Sequence, residues 1–207
     1  MQEHGMTQQT FSCDIETDGI DATKVWCIAV HNHYDESTKM WYPEEGWDIN
    51  ENGSFNDWVQ SSEVDTLVFH NGISFDVPIL SALVGTDFNG ITIEDTLLLS
   101  QLDKPRREGG HSLANWGEYL GYPKGDHEDW SKLSTEMADY CLRDTEITTK
   151  VYKLMMQKGL SEDAKLLEYD TKKHCSWQER TGWLFDERSA VEILQEVNND
   201  LREAEEE

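Results

Sequence analysis

Basic residues are scarce in this 207-residue chain: 17 Lys and Arg stand against 42 Asp and Glu, a formal net charge of −25. A broad cationic surface that neutralises phosphates is how proteins commonly grip duplex DNA, and this balance argues against that mode. Two options remain, no nucleic-acid partner or one held locally by metal ions and stacking, and composition alone favours the first. Cysteine is also sparse. Cys13, Cys27, Cys141 and Cys175 show no CxxC spacing, and with seven His no zinc-site pattern emerges. Cys13 and Cys141 fall inside regular apolar patterns and read as buried free thiols. The sequence has no signal peptide, no internal repeat and no apolar run of about 18 residues. It therefore reads as soluble and cytoplasmic, with no membrane partner.

What is present suits a folded domain. Hydrophobic residues make up 37% and aromatics 10%, eight of them Trp, which is enough for a real core. Alternation predicts strands over Thr10–Ile15, Val25–His31, Lys39–Tyr42, Thr66–His70 and Ile91–Ile93. Helices are expected over Phe55–Gln60, from Phe75 to Val84 with Pro78 in the first turn, and from an Asp95 cap to about Leu102. Further helices are expected over His111–Leu120, Ser134–Lys158 and Ser161–Arg180, with a last one capped by Asp186. Asp103–Gly110, which holds Lys104, Arg106 and Arg107, reads as a loop and Gly121–Trp130 as irregular. Strands first, then alternating strands and helices, suggest an α/β three-layer domain.

Three acidic features stand in unusual places. In the first strand Ser12, Asp14 and Glu16 share one face, opposite Phe11, Cys13 and Ile15. Two like charges that close repel unless a hard cation such as Mg²⁺ or Mn²⁺ joins them, although a solvent-facing strand edge is the plainer reading. In the long helix Met137, Tyr140, Asp144, Ile147, Val151 and Leu154 form one apolar stripe with a carboxylate in its middle. A buried carboxylate must be paired, protonated or metal-bound, so an Asp-to-Lys or Asp-to-Arg core bridge competes with a metal there. Asp76 falls on an inward face with Ile79, Leu80 and Leu83, where a helix N-cap is the alternative.

Together these segments resemble the DEDD 3′→5′ exonuclease superfamily. The motifs are Asp14-Ile15-Glu16-Thr17, then His70 through Asp76 (HNGISFD), then Tyr140-Cys141-Leu142-Arg143-Asp144. Tyr140 four residues before Asp144 marks the tyrosine subclass; the histidine subclass would carry its His where Asp139 stands. The segments HNGISFDVPIL, EDTLLLSQL, GHSLANWGEYLG and QERTGWLFD look like the proofreading region of phage-type family A DNA polymerases. The resemblance implies a ribonuclease H-like three-layer α/β fold, with a central mixed sheet and flanking helices. It also implies an exonuclease domain over residues 1–160 and, over 161–207, a helical extension like the start of a polymerase thumb.

The implied activity is hydrolysis of the 3′-terminal phosphodiester of DNA to nucleoside 5′-monophosphates, with two divalent cations, Mg²⁺ or Mn²⁺. Asp14 would bridge both metals, Glu16 and Asp144 would complete one metal site, and Asp76 would hold the second. Tyr140 would orient the attacking water. Thr17, Asn71 and Phe75 are the substrate-contact candidates, although Phe75 can equally be core and Asn71 can simply shape a turn. Lys104, Arg106 and Arg107 are the candidates for phosphate steering. The partners implied are a single-stranded DNA 3′ end and a separately encoded polymerase subunit. A non-catalytic scaffold and an RNA-directed exonuclease are the competing readings.

Overall fold

The computed structural model describes residues 9–42 and 53–206. Part of the acidic 35–62 insert, whose DNA-contact role the sequence leaves open, lies outside the described residues. Five strands form one mixed sheet: β1 (Thr10–Thr17), β2 (Val25–Asn32), β3 (Thr38–Trp41), β4 (Thr66–Phe69) and β5 (Thr92–Asp95), in the order β3-β2-β1-β4-β5. The β1–β2 and β2–β3 pairs are antiparallel, whereas β1–β4 and β4–β5 are parallel. Helices are α1 (Phe55–Val59), α2 (Asp76–Ile79), α3 (Thr96–Asp103), α4 (Leu113–Tyr119), α5 (Thr135–Met156), α6 (Glu162–Thr181) and α7 (Glu187–Glu206).

Alternation in β1 divides the core between two faces. Phe11, Cys13 and Ile15 pack with Phe55, Trp58, Val59 and Leu80 on one side. The opposite face, with Ser12, Asp14 and Glu16, meets α5. Polar contacts fix the register of that docking. Thr149 Oγ1 lies 2.8 Å from Ser12 Oγ, which in turn lies 2.8 Å from His33 Nε2. Ser134 caps α5 by accepting from the Met137 N–H. Of the expected stripe, Met137, Asp144, Ile147 and Val151 are buried, whereas Tyr140 and Leu154 are half-buried and their neighbours Cys141 and Met155 are buried instead.

One expected helix changes character. After α2 the chain passes into a π-type turn over Leu80–Val84, closed by Gly85 at φ +75°. The wider turn rotates Leu83 out to 44% exposure, so only Leu80 of the inward set Ile79, Leu80 and Leu83 is fully buried. Cys13, Cys27 and Cys141 are buried free thiols and Cys175 is an exposed one. No helix of the described residues is long and apolar enough to cross a membrane.

The chain forms two compact units, Met1–Lys173 and His174–Glu207. The first takes in much of α6, which the sequence places in the C-terminal extension. Lys165 Nζ sits 2.7 Å from Glu94 Oε1, and Tyr169 donates to Glu94 Oε2 at 2.7 Å, fastening α6 to β5. In the second unit α7 is amphipathic, and Leu194, Val197 and Leu201 of its apolar stripe are exposed.

Candidate active site

The C-terminal end of β1 delivers two acids. A register shift between Glu16 and Thr17 interrupts the β1–β2 ladder just where the strand leaves the sheet. Asp14 and Glu16 both line a cavity of about 210 Å³, together with His70, Asn71, Phe75, Asp76, Lys124, Trp130, Tyr140 and Asp144. Ligand atoms of Asp14, Glu16 and Cys141 lie within 4.8 Å of one another.

The turn after β4 brings the third acid. Asn71 adopts φ +68°, a left-handed conformation that Asn tolerates. At Gly72 a Cβ would stand 2.2 Å from Phe69 Cβ, so only glycine fits the close approach. Asp95 locks the turn: its carboxylate accepts from the Asn71 and Ile73 N–H groups and also caps α3. The capping expectation for Asp95 holds. For Asp76 it does not, because Phe75 is the N-cap of α2 and makes no side-chain cap hydrogen bond. The Asp76 carboxylate, 4% exposed, instead accepts from the Ile15 backbone N–H.

Asp144 arrives from α5. Its Oδ2 pairs with the Lys124 ammonium, so the core-bridge alternative is realised on one side of the carboxylate. Its Oδ1 is the one buried side-chain oxygen among the described residues without a hydrogen-bond partner. A buried orphan acceptor costs about 1–3 kcal/mol, and Asp144 shares its cavity with three further carboxylates. That donor set, all oxygen and all acidic, fits a hard divalent cation.

A family model of the RNase_H superfamily matches residues 12–94. The DNA-directed DNA polymerase of Enterobacteria phage T3 is similar at 24% identity, over 89% of this chain and 34% of the relative. The Escherichia phage T7 polymerase is similar at 25% identity, with the same coverage. The chain thus spans about a third of the length of these relatives. Among solved structures, Brucella melitensis NrnC bound to pGG superposes with a TM-score of 0.65 at 18% identity, covering 87% of this chain and 89% of that one. The catalytic core of RRP6 from Trypanosoma brucei gives 0.57 at 18%, covering 82% and 46%. The core has an RNase H-like fold. The chain resembles a DEDD-type exonuclease of the kind that proofreads in phage polymerases.

Within this RNase H-like domain, four of the expected acids and Tyr140 line one cavity. Asn71 and Phe75 line it as well; Asn71 also makes the turn, and Phe75 also packs on the core. Thr17 is not among the lining residues, and its hydroxyl donates to Gly19 O at 2.8 Å. Lys104, Arg106 and Arg107 are elsewhere. The Arg107 guanidinium stacks 3.8 Å from the Trp116 ring, in a hollow that also contains Lys104, Leu154 and Lys158. Leu154 and Lys158 are ten and fourteen residues beyond Asp144 on or just past α5, about 15–21 Å along the helix.

The cation that lines the acidic cavity is Lys124, which the sequence did not reveal. Besides pairing with Asp144, its ammonium stands 4.5 Å from the centre of the Tyr140 ring. The irregular segment carrying it is anchored by Arg143 Nε donating to Pro123 O and by Trp26 Nε1 donating to Trp130 O. At Gly117 a Cβ would meet Tyr122 O at 2.7 Å, so α4 packs directly against the same segment. Against the burial that would lower its pKa, Asp144 and Asp14 hold Lys124 charged and raise it.

Burial raises the proton affinity of all four acids. Burial pushes Glu16 up to about 9, Asp76 to about 7 and Asp144 to about 6. Burial and then repulsion from Asp144, Glu16 and Asp76 raise Asp14 well above its ordinary value. A carboxyl raised in this way keeps its proton after the unfolded chain has lost it. Stability therefore falls as pH rises from the unfolded value toward the folded one. His33 and His70, lowered by burial to about 3 and about 4, oppose this only below their unfolded value of about 6.5. The melting temperature in EDTA is thus expected to fall between about pH 6.5 and 9, with Glu16→Gln removing much of the decline. Saturating Mg²⁺ should flatten the profile. A flat profile in EDTA over that window would refute the raised proton affinities.

Proposed function

We propose that this chain is a metal-dependent 3′→5′ exonuclease that hydrolyses the 3′-terminal phosphodiester of DNA and releases nucleoside 5′-monophosphates. The observation that carries the reading is the convergence of Asp14, Glu16, Asp76 and Asp144 on one cavity, with Asp144 Oδ1 buried and unpartnered. Asp14, Glu16, Asp76 and Asp144 would hold two divalent cations, Mg²⁺ or Mn²⁺, which would activate water and neutralise charge on the phosphate. The chain's own groups do the positioning. The Tyr140 hydroxyl, hydrogen-bonded to Lys124, would orient the attacking water. The Lys124 ammonium offsets part of the acidic field, so that a phosphate can approach. Phe75 and Trp130 offer ring faces at the cavity wall for the terminal base, each stack worth about 1–3 kcal/mol. Local contacts of this kind explain how a chain of net charge −25 can take a nucleic-acid end.

Similarity to about a third of two phage DNA polymerases supports DNA as substrate and proofreading as the role. It also supports a polymerase module as partner, on the same chain or on another. The fold likeness to NrnC bound to pGG, which spans 89% of that protein, favours short RNA oligonucleotides as a second reading. The deciding experiment offers 3′-labelled single-stranded DNA and the matched RNA, with Mg²⁺ or Mn²⁺. Stepwise shortening of the DNA, faster than of the RNA, is expected. Equal or faster loss of RNA would replace the DNA assignment. Intact strands with both metals would leave only a scaffold role.

A further inference from the structure

The basic loop that follows α3 does not line the acid cavity. It forms one side of a separate hollow of about 420 Å³, lined also from the end of α3, from α4 and from the end of α5. Polar contacts to one hydroxyl hold the loop against α3. His111 Nδ1 lies 2.6 Å from Ser100 Oγ, and Trp116 Nε1 donates to the same oxygen at 3.1 Å. Gly109 and Gly110 turn the chain at φ +82° and +79°, and Arg107 donates to Gly110 O. The guanidinium is thereby held 3.8 Å from the centre of the buried Trp116 ring and 5.0 Å from that of Tyr119.

Charge and ring faces together specify a ligand. Lys104, Arg107 and Lys158 line the hollow against Asp103 and Glu108, a surplus of positive charge in a chain of net charge −25. Lys158 stands 3.9 Å from Asp103, whereas Lys104 pairs with no acid among the described residues. Arg107 uses one corner of its fork on Gly110 O, and its other N–H groups suit the paired oxygens of a phosphate. Stacking on Trp116 fixes the fork in advance, so little side-chain freedom is lost on binding. The Tyr119 ring, 68% exposed, adds a flat face to the same lining. A bare anion has no use for that face, whereas a base stacks on it. We infer that this hollow is a nucleotide-binding site, in which Lys104, Arg107 and Lys158 hold a phosphate and Tyr119 stacks the attached base. Its volume falls within the range of about 300–1,000 Å³ usual for small-ligand pockets. A free mononucleotide and an internal nucleotide of a single strand both offer this chemistry.

Binding in EDTA tests the site apart from the nuclease reading, since it is measured without catalysis and the acids, lacking cations, repel phosphate. Calorimetry on the full chain should give 5′-dAMP a dissociation constant of about 1 mM or below. Lys104→Gln combined with Lys158→Gln, both at exposed positions, should weaken it at least about tenfold. Tyr119→Ala should weaken dAMP at least about fivefold, yet leave the binding of inorganic phosphate, followed by ³¹P NMR, unchanged. Oligo(dT) of about ten nucleotides separates the two sources. Binding at least about tenfold tighter than dAMP, and weakened by the same variants, assigns the hollow to a strand; comparable affinity assigns it to the free mononucleotide. Failure of dAMP to bind the wild type overturns the site, as does undiminished binding by the double lysine variant. Sulfate binding as tightly as dAMP would make the hollow a general anion site and overturn the nucleotide assignment, with no variant needed.

Discussion

Asp14→Asn is expected to slow 3′-terminal hydrolysis by at least about a thousandfold, a barrier increase of about 4 kcal/mol, while raising the melting temperature of the metal-free protein. Both effects come from one position. Asp14 is the acid that meets repulsion from Glu16, Asp76 and Asp144 together. In the proposed mechanism it would help hold the cations, so an amide there would weaken the charge stabilisation they supply to the reacting phosphate. Without cations the same half-buried carboxyl is a liability, crowded by three others. An amide of equal shape removes that repulsion and cannot ionise. Single-turnover degradation of 3′-labelled DNA, paired with thermal melts in EDTA and in Mg²⁺, reads the two effects separately. Retained activity would displace Asp14 from the mechanism. A lower melting temperature in EDTA would mean that its carboxylate stabilises the fold, contrary to its environment.

Lys165→Met should produce the largest loss of stability, about 3–5 kcal/mol in urea unfolding. The Lys165 and Glu94 side chains are only 6% and 9% exposed, and removing the ammonium strands a carboxylate in the interior. The damage should spread along a defined route. Tyr169 holds Glu94 and accepts from the Asp95 N–H, and the Asp95 carboxylate secures the Asn71–Ile73 turn ahead of Asp76. Glu94→Leu combined with Lys165→Met should recover most of the loss, since neither charge is then left unpaired. If the single and double variants are equally destabilised, the cost lies in packing and not in a stranded charge.

The sequence disclosed these positions unevenly. Strand period placed Asp14 and Glu16 on one face, and helix period placed Asp144 among apolar residues; the structure has both arrangements. Such patterns are readable because a regular backbone fixes which way each side chain points. Asp95 was readable as a cap for a related reason, since a cap acts on its own helix. Asp76 and Leu83 were harder. Whether Asp76 capped α2 or turned toward β1 depended on an Ile15 N–H sixty-one residues earlier in the chain. Leu83 lost its inward position to a π-type turn that does not keep the period of 3.6 residues.

The sequence by itself therefore determined the sheet-and-helix order, the orientation of the acids on β1 and α5, and the resemblance to DEDD exonucleases. All of these rest on local periodicity or on contiguous motifs. Tertiary structure alone decided what surrounds those acids: Lys124 reaching from an irregular segment to Asp144, Cys141 lying beside Asp14, and Lys165 neutralising Glu94. These contacts join residues far apart in the chain. No backbone period relates such partners, so only the packing of α5 and α6 against the sheet could bring them together.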